Sequence, residues 1–86
     1  MAPGIQPSAA VLGYAQKVLE IATTYGAQTG TPPTNCQTGY EAGTTKLALG
    51  DGIALKSCTV EKINDRLRVS LETTDGAKLT VPSNGP

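Results

Sequence analysis

The residues best suited to chemistry in this chain are its two cysteines, Cys36 and Cys58. They bracket about 20 residues, and a bond between them would contribute roughly 3 kcal/mol to stability on the chain-entropy account. Two cysteines in a chain without histidine cannot supply the four Cys and His ligands of a zinc site. The CxxC spacing of a redox pair is also absent. We therefore expect a structural disulfide, with free buried thiols as the alternative, and a disulfide predicts an oxidising compartment.

The sequence contains no recognisable arrangement of catalytic residues. There is no histidine to act as a general base, and no Ser, Cys or Lys lies in a recognised nucleophile motif. The carboxylates Glu61, Asp65, Glu72 and Asp75 fall on a solvated strand face or in turns, which is typical of surface charge. The tripeptide GDG at 50–52 lacks the spacing of a phosphate-binding loop. We predict a protein that is not an enzyme and that uses no cofactor or metal.

Four basic residues of the second half, Lys62, Arg66, Arg68 and Lys78, are candidates for a basic strip across the outer face of the predicted sheet and for a surface contact there. Acidic residues are interleaved with them, so we expect cross-strand ion pairs, with a weak polyanion or partner contact as the alternative. Seven Lys and Arg balance seven Asp and Glu, for a net charge of +0, which disfavours dedicated nucleic-acid binding. Tyr40, in a predicted loop, is a further candidate contact residue.

An N-terminal helix, predicted from Ser8 to Gly26, is the strongest structural signal. Apolar residues recur there at spacings of three and four: Val11, Ala15, Val18, Ala22 and Tyr25, with Leu12, Tyr14, Leu19 and Ile21 widening the stripe. Ser8 is the predicted N-cap. Gly26 is the predicted left-handed residue after the last turn. Gly13 weakens the helix interior by roughly 1 kcal/mol relative to alanine.

Short strands are predicted after the helix. Residues 27–43 are rich in Gly, Pro and Thr and predict a long loop. Residues 44–82 then predict an antiparallel meander of three or four strands. Residues 67–73 alternate between apolar and polar side chains, and Thr74-Asp75-Gly76 predicts a tight hairpin turn.

The chain length and composition predict one domain. With 86 residues, no Phe, no Trp and only three Tyr, the chain forms only a small hydrophobic core. Small folds of this kind need additional stabilisation, such as a disulfide. Residues 1–7 are a predicted lead-in and residues 83–86 a tail. The predicted fold class is α+β, with one N-terminal helix packed on the apolar face of a 3–4 stranded antiparallel sheet.

This order of elements resembles the globular half of bacterial type IV pilins and pseudopilins. The residues that carry the resemblance are SAAVLGYAQKVLEIATTYGAQTGTPP, similar to the family's helix and its exit, and RLRVSLETTDGAKLTVP, similar to its terminal hairpin. The family's basic leader, peptidase site and phenylalanine-led hydrophobic stretch do not occur in this sequence. The cysteine pair also differs, since many pilins close a loop nearer the C-terminus.

The resemblance implies a non-enzymatic subunit of an extracellular filament that serves motility, adhesion, secretion or DNA uptake. Its implied partners are other pilin subunits, and the inner membrane through an N-terminal hydrophobic helix. We expect roughly 20–25 apolar residues to be encoded upstream of Ala2.

Two other classes of protein fit the same residues. One is a small secreted, disulfide-bonded binding module that grips a ligand with the loop from Ala27 to Gly43. The other is a small cytosolic regulatory or toxin-like domain, in which both thiols would be reduced.

Overall fold

The computed structural model describes residues 9–50, 52–63 and 66–81. Its first element is one helix, α1 Ala9–Thr29. The buried face of α1 follows the predicted helical spacing and consists of Val11, Tyr14, Ala15, Val18 and Ala22. Leu12 was expected to widen this stripe but is 39% exposed. The predicted N-cap Ser8, the lead-in and the tail lie outside the described residues.

The helix ends later than predicted. Gly26 lies inside α1, and the terminating residue is Gly30, whose φ is 90°. The Gly30 amide donates to the Gly26 carbonyl at 2.7 Å, which closes the last turn as a left-handed glycine does. Gly26 is not among the glycines with a positive φ and packs next to the loop that follows the helix. A Cβ there would lie 3.4 Å from Cδ of Pro32, a buried residue of the following loop.

A small hairpin follows the loop. Strands β1 Tyr40–Ala42 and β2 Thr45–Leu47 pair antiparallel, so the predicted loop 27–43 contains the last helical turn at one end and a strand at the other. Gly43 forms the turn with φ 63°, and a Cβ there would lie only 3.0 Å from the ring of Tyr25. Glycine is therefore required at this turn both by its backbone angle and by the aromatic ring above it.

The main sheet has three strands in the order β3-β4-β5: β3 Leu55–Ile63, β4 Arg66–Thr73 and β5 Lys78–Val81. All neighbours are antiparallel, as predicted. The register places Val60 opposite Val69 and Cys58 opposite Leu71, on the face toward the core. Strand β2 was expected in the same meander but pairs only with β1. Residues 64 and 65, between β3 and β4, lie outside the described residues.

The β4–β5 turn is held by the side chain of Thr73. Its hydroxyl accepts from the Ala77 amide at 2.9 Å and donates to the carboxylate of Asp75. Gly76 has φ 98°, as the predicted Asp-Gly turn requires. The hydrogen bond from Thr73 lowers the pKa of Asp75, because it stabilises the charged carboxylate.

The helix packs against both sheets, chiefly on β4 and β5. The core between these layers contains aliphatic residues from α1 and the strands, together with both cysteines and Tyr40. The predicted α+β fold class is confirmed: one helix packs against antiparallel sheets of two and three strands.

We predict that Gly13→Ala raises the free energy of unfolding by about 0.5–1 kcal/mol, because alanine restricts the unfolded chain and favours the helix. Gly13 is exposed, and a Cβ there meets nothing within 4 Å. Urea denaturation measures the change.

Gly30→Ala is the matched control. A Cβ at Gly30 also meets nothing within 4 Å, but φ is +90° there. This variant should lose about 1–2 kcal/mol from backbone strain. Equal shifts in the same direction for the two variants would contradict the assignment of the helix end.

Candidate functional site

A disulfide joins Cys36 to Cys58 inside the core, with Cα atoms 4.9 Å apart. Both residues are buried, at 0% and 2% exposure. The loop beside Cys36 runs antiparallel along the edge of β3. The Cys36 amide donates to the Cys58 carbonyl at 3.2 Å, and the Val60 amide donates to the Thr34 carbonyl at 2.8 Å. The predicted structural disulfide is confirmed, and it ties this loop to the sheet.

Two tyrosine hydroxyls reinforce the same loop. The Tyr14 hydroxyl donates to the Cys36 carbonyl at 2.6 Å, and the Tyr40 hydroxyl donates to the Pro33 carbonyl at 2.9 Å. Burial raises the pKa of Tyr14 to about 12, partly offset by the backbone amide of Gly39. Sequence reasoning placed Tyr14 in the core but missed its role as a donor to the loop.

The prediction that Tyr40 is a surface contact is wrong. Tyr40 is 0% exposed, because the alternation of β1 turns its first and third residues inward and leaves only Glu41 exposed. Burial raises the pKa of Tyr40, and the nearby Tyr25 adds to the effect. The residue therefore secures the loop from within and is not available to a partner.

The basic residues do not form one strip. Arg68 pairs with Glu61 across β3 and β4 at 3.2 Å, as expected for cross-strand ion pairs. Both side chains are 44% exposed, so the pair contributes at most about 1 kcal/mol. Lys78 lies opposite Glu72 in the register of β4 and β5.

Lys62 departs from the predicted arrangement. It is opposite Leu67 in the register, and strand alternation places that pair on the same side of the sheet as Val60 and Val69, which is the helix side. The expectation of four cations across the outer face was therefore wrong for Lys62, and Arg66, the first residue of β4, borders the same helix-side cavity. Lys62 instead lines a cavity together with Arg66.

Two cavities flank the C-terminal half of α1. The first has a volume of about 450 Å³ and lies between the helix end and the β3–β4 hairpin, with Lys62 and Arg66 in its lining. The second, of about 390 Å³, lies between the helix and the β1–β2 hairpin, with Glu20 in its lining. Sequence reasoning missed both cavities, since each lies between α1 and residues that are distant from it in the sequence.

Within residues 9–50, 52–63 and 66–81 there is no group of three or more His, Cys, Asp or Glu side chains that would hold a metal ion. Among the described helices, none combines the length and the apolar character needed to cross a membrane. Comparisons of the chain with protein-family models, with curated proteins and with solved structures find no match.

We predict that Cys58→Ser lowers the free energy of unfolding by about 3 kcal/mol under oxidising conditions, because the unfolded chain regains the freedom that the cross-link removes. Urea denaturation with and without a reductant measures it. The reductant should destabilise the parent and leave the variant unchanged. Equal denaturation midpoints for parent and variant without reductant would contradict the prediction.

We also predict that the buried Tyr14 makes the fold sensitive to alkali. Its folded pKa of about 12 exceeds the ordinary value of 10.0. The folded state therefore binds this proton more tightly than the unfolded state. The resulting stabilisation is fully present below pH 10 and is lost as the pH rises from about 10 toward 12.

Urea denaturation across that pH range tests this linkage. Tyr14→Phe should be less stable near neutrality by about 1 kcal/mol, because it loses the bond to Cys36, yet it should lose less stability in alkali. Tyr25→Phe is the control, since it retains Tyr14 and should retain the steep decline. A parallel decline in parent and Tyr14→Phe would refute the assignment.

Proposed function

We propose that this chain is the globular domain of a non-enzymatic subunit of an extracellular filament of the type IV pilin kind. Its partners would be other subunits of the filament, and an upstream hydrophobic helix would anchor it in the inner membrane before assembly. The order of elements supports this proposal: one N-terminal helix, a disulfide-pinned loop, and an antiparallel sheet laid on one side of the helix.

The observation that carries the proposal is the exposed side of the first helical turns. Ala9, Ala10, Leu12 and Gly13 are all exposed, and the first charged residue of α1 is Lys17. Among the residues that the structure describes, Leu12 is one of two large hydrophobic residues that are exposed. An uncharged, partly apolar helix surface is suited to packing against the helix of another subunit, because no charge would be removed from water.

The disulfide supports an extracellular location, since buried disulfides persist in oxidising compartments. Internal contacts hold two positions of the loop that a secreted binding module would use. Cys36 is bonded to β3, and Pro33 accepts from the buried Tyr40.

A charge placed on the exposed helical turn tests the proposal. In cells that express the natural gene, we expect the full-length product in filaments sheared from the surface, detected with an antibody against this domain. Leu12→Glu should reduce the filament-bound product at least tenfold, because a buried, unpaired charge would oppose helix packing.

Ile63→Glu is the matched control. Ile63 is also 39% exposed but lies on the sheet, so this variant should assemble normally. Thermal melts of the purified domains establish that both variants fold. If the product is a monomer in the medium, with filaments that lack it, the proposal is overturned and the binding module is favoured. Normal assembly of Leu12→Glu would also count against the proposed contact.

A further inference from the structure

The cavity at the C-terminal end of α1 has mostly apolar walls. One wall is the helix, through Leu19, Ala27 and the polar Thr23, and the facing wall is formed by Pro32 and Leu67. Gly26 also lines the cavity, and a Cβ there would lie 3.4 Å from Cδ of Pro32 and 3.9 Å from Cδ1 of Leu67. A volume of about 450 Å³ falls within the range of roughly 300–1,000 Å³ that is typical of small-molecule sites.

Two cations complete this cavity. Lys62 and Arg66 both belong to its lining, and they come from facing ends of β3 and β4. No carboxylate is among the lining side chains that the structure describes. In the described part of the chain, neither Lys62 nor Arg66 forms an ion pair, and the salt bridge found there joins Arg68 to Glu61.

The nearby helix end does not cancel this charge. The C-terminus of a helix carries about half a negative charge, and α1 has no basic residue in its last turn. Two full positive charges at Lys62 and Arg66 exceed that half charge, so the described residues of the cavity lining contribute a net positive charge. An anion is therefore favoured at the cation end, while the walls favour a hydrocarbon.

We propose that this cavity binds an amphiphilic monocarboxylate of medium chain length. The hydrocarbon would lie between α1 and the residues Pro32 and Leu67, and the carboxylate would accept hydrogen bonds from Lys62 and Arg66. Apolar walls with a few convergent polar groups are the usual composition of such sites. The site is independent of the proposed filament contact, which involves the other end of α1.

Titration of the ¹⁵N-labelled domain with octanoate, followed by amide chemical shifts, tests the proposal. Octanoate should give saturable shifts at Gly26, Ala27, Gly30 and Leu67. Octylammonium, which has the same chain and the opposite charge, should bind at least tenfold more weakly. Acetate, which lacks the chain, should give no saturable shifts.

Two double variants separate the site from net charge. Lys62→Gln with Arg66→Gln should weaken octanoate binding at least tenfold. Lys46→Gln with Lys56→Gln removes the same charge from exposed positions outside the cavity lining, and it should leave binding within twofold of the parent.

Three outcomes would overturn the proposal. Equal binding of octanoate and octylammonium would mean that the cations do not select the ligand. Equal weakening in both double variants would mean that net charge alone attracts octanoate. An absence of saturable shifts, together with a lower melting temperature for the variant without Lys62 and Arg66, would assign these residues solely to stabilising the helix end.

Discussion

The bond between Cys36 and Cys58 is the constraint on which the rest of the structure depends. It closes an irregular segment onto β3, in a chain whose core lacks Phe and Trp. Two hydroxyls then use that fixed segment as an acceptor, Tyr14 from the helix and Tyr40 from β1. The cross-link therefore positions the loop for contacts with elements on both sides. Because the disulfide adds to the stability of the fold, the small core needs to bury less apolar area.

The same segment also protects an edge of the main sheet. Asn35 lies opposite Thr59, and backbone hydrogen bonds join the segment to β3 on either side of that pair. An uncovered strand edge invites pairing with other chains. By occupying the middle of this edge with a covalently fixed loop, the fold protects the β3 side of the main sheet from pairing with another chain.

Patterns that repeat over many residues were predictable from the sequence, and features decided by one residue were not. The buried face of α1 and the alternation of β4 follow from long periodic stretches, and the turn at Gly76 follows from Asp-Gly chemistry. The predicted helix end was wrong because Gly26 and Gly30 both suit a helix end in the sequence, whereas only Gly30 of the two has the positive φ. Tyr40 was misplaced because β1, a strand of three residues, is too short to show an alternating pattern. Lys62 was misplaced because a shift of one residue in strand register moves a side chain to the opposite face of the sheet.

The two ends of α1 have different surroundings, and this difference is consistent with separate roles. Leu12 and Gly26 are 14 positions apart, or about 21 Å along a helix, so a contact at the first turns leaves the cavity at the last turns open. The exposed residues near Leu12 lack charge, whereas the cavity near Gly26 is bordered by Lys62 and Arg66. A charged ligand at one end would therefore not compete with apolar packing at the other, and the rigid helix between them holds both surfaces at a fixed separation.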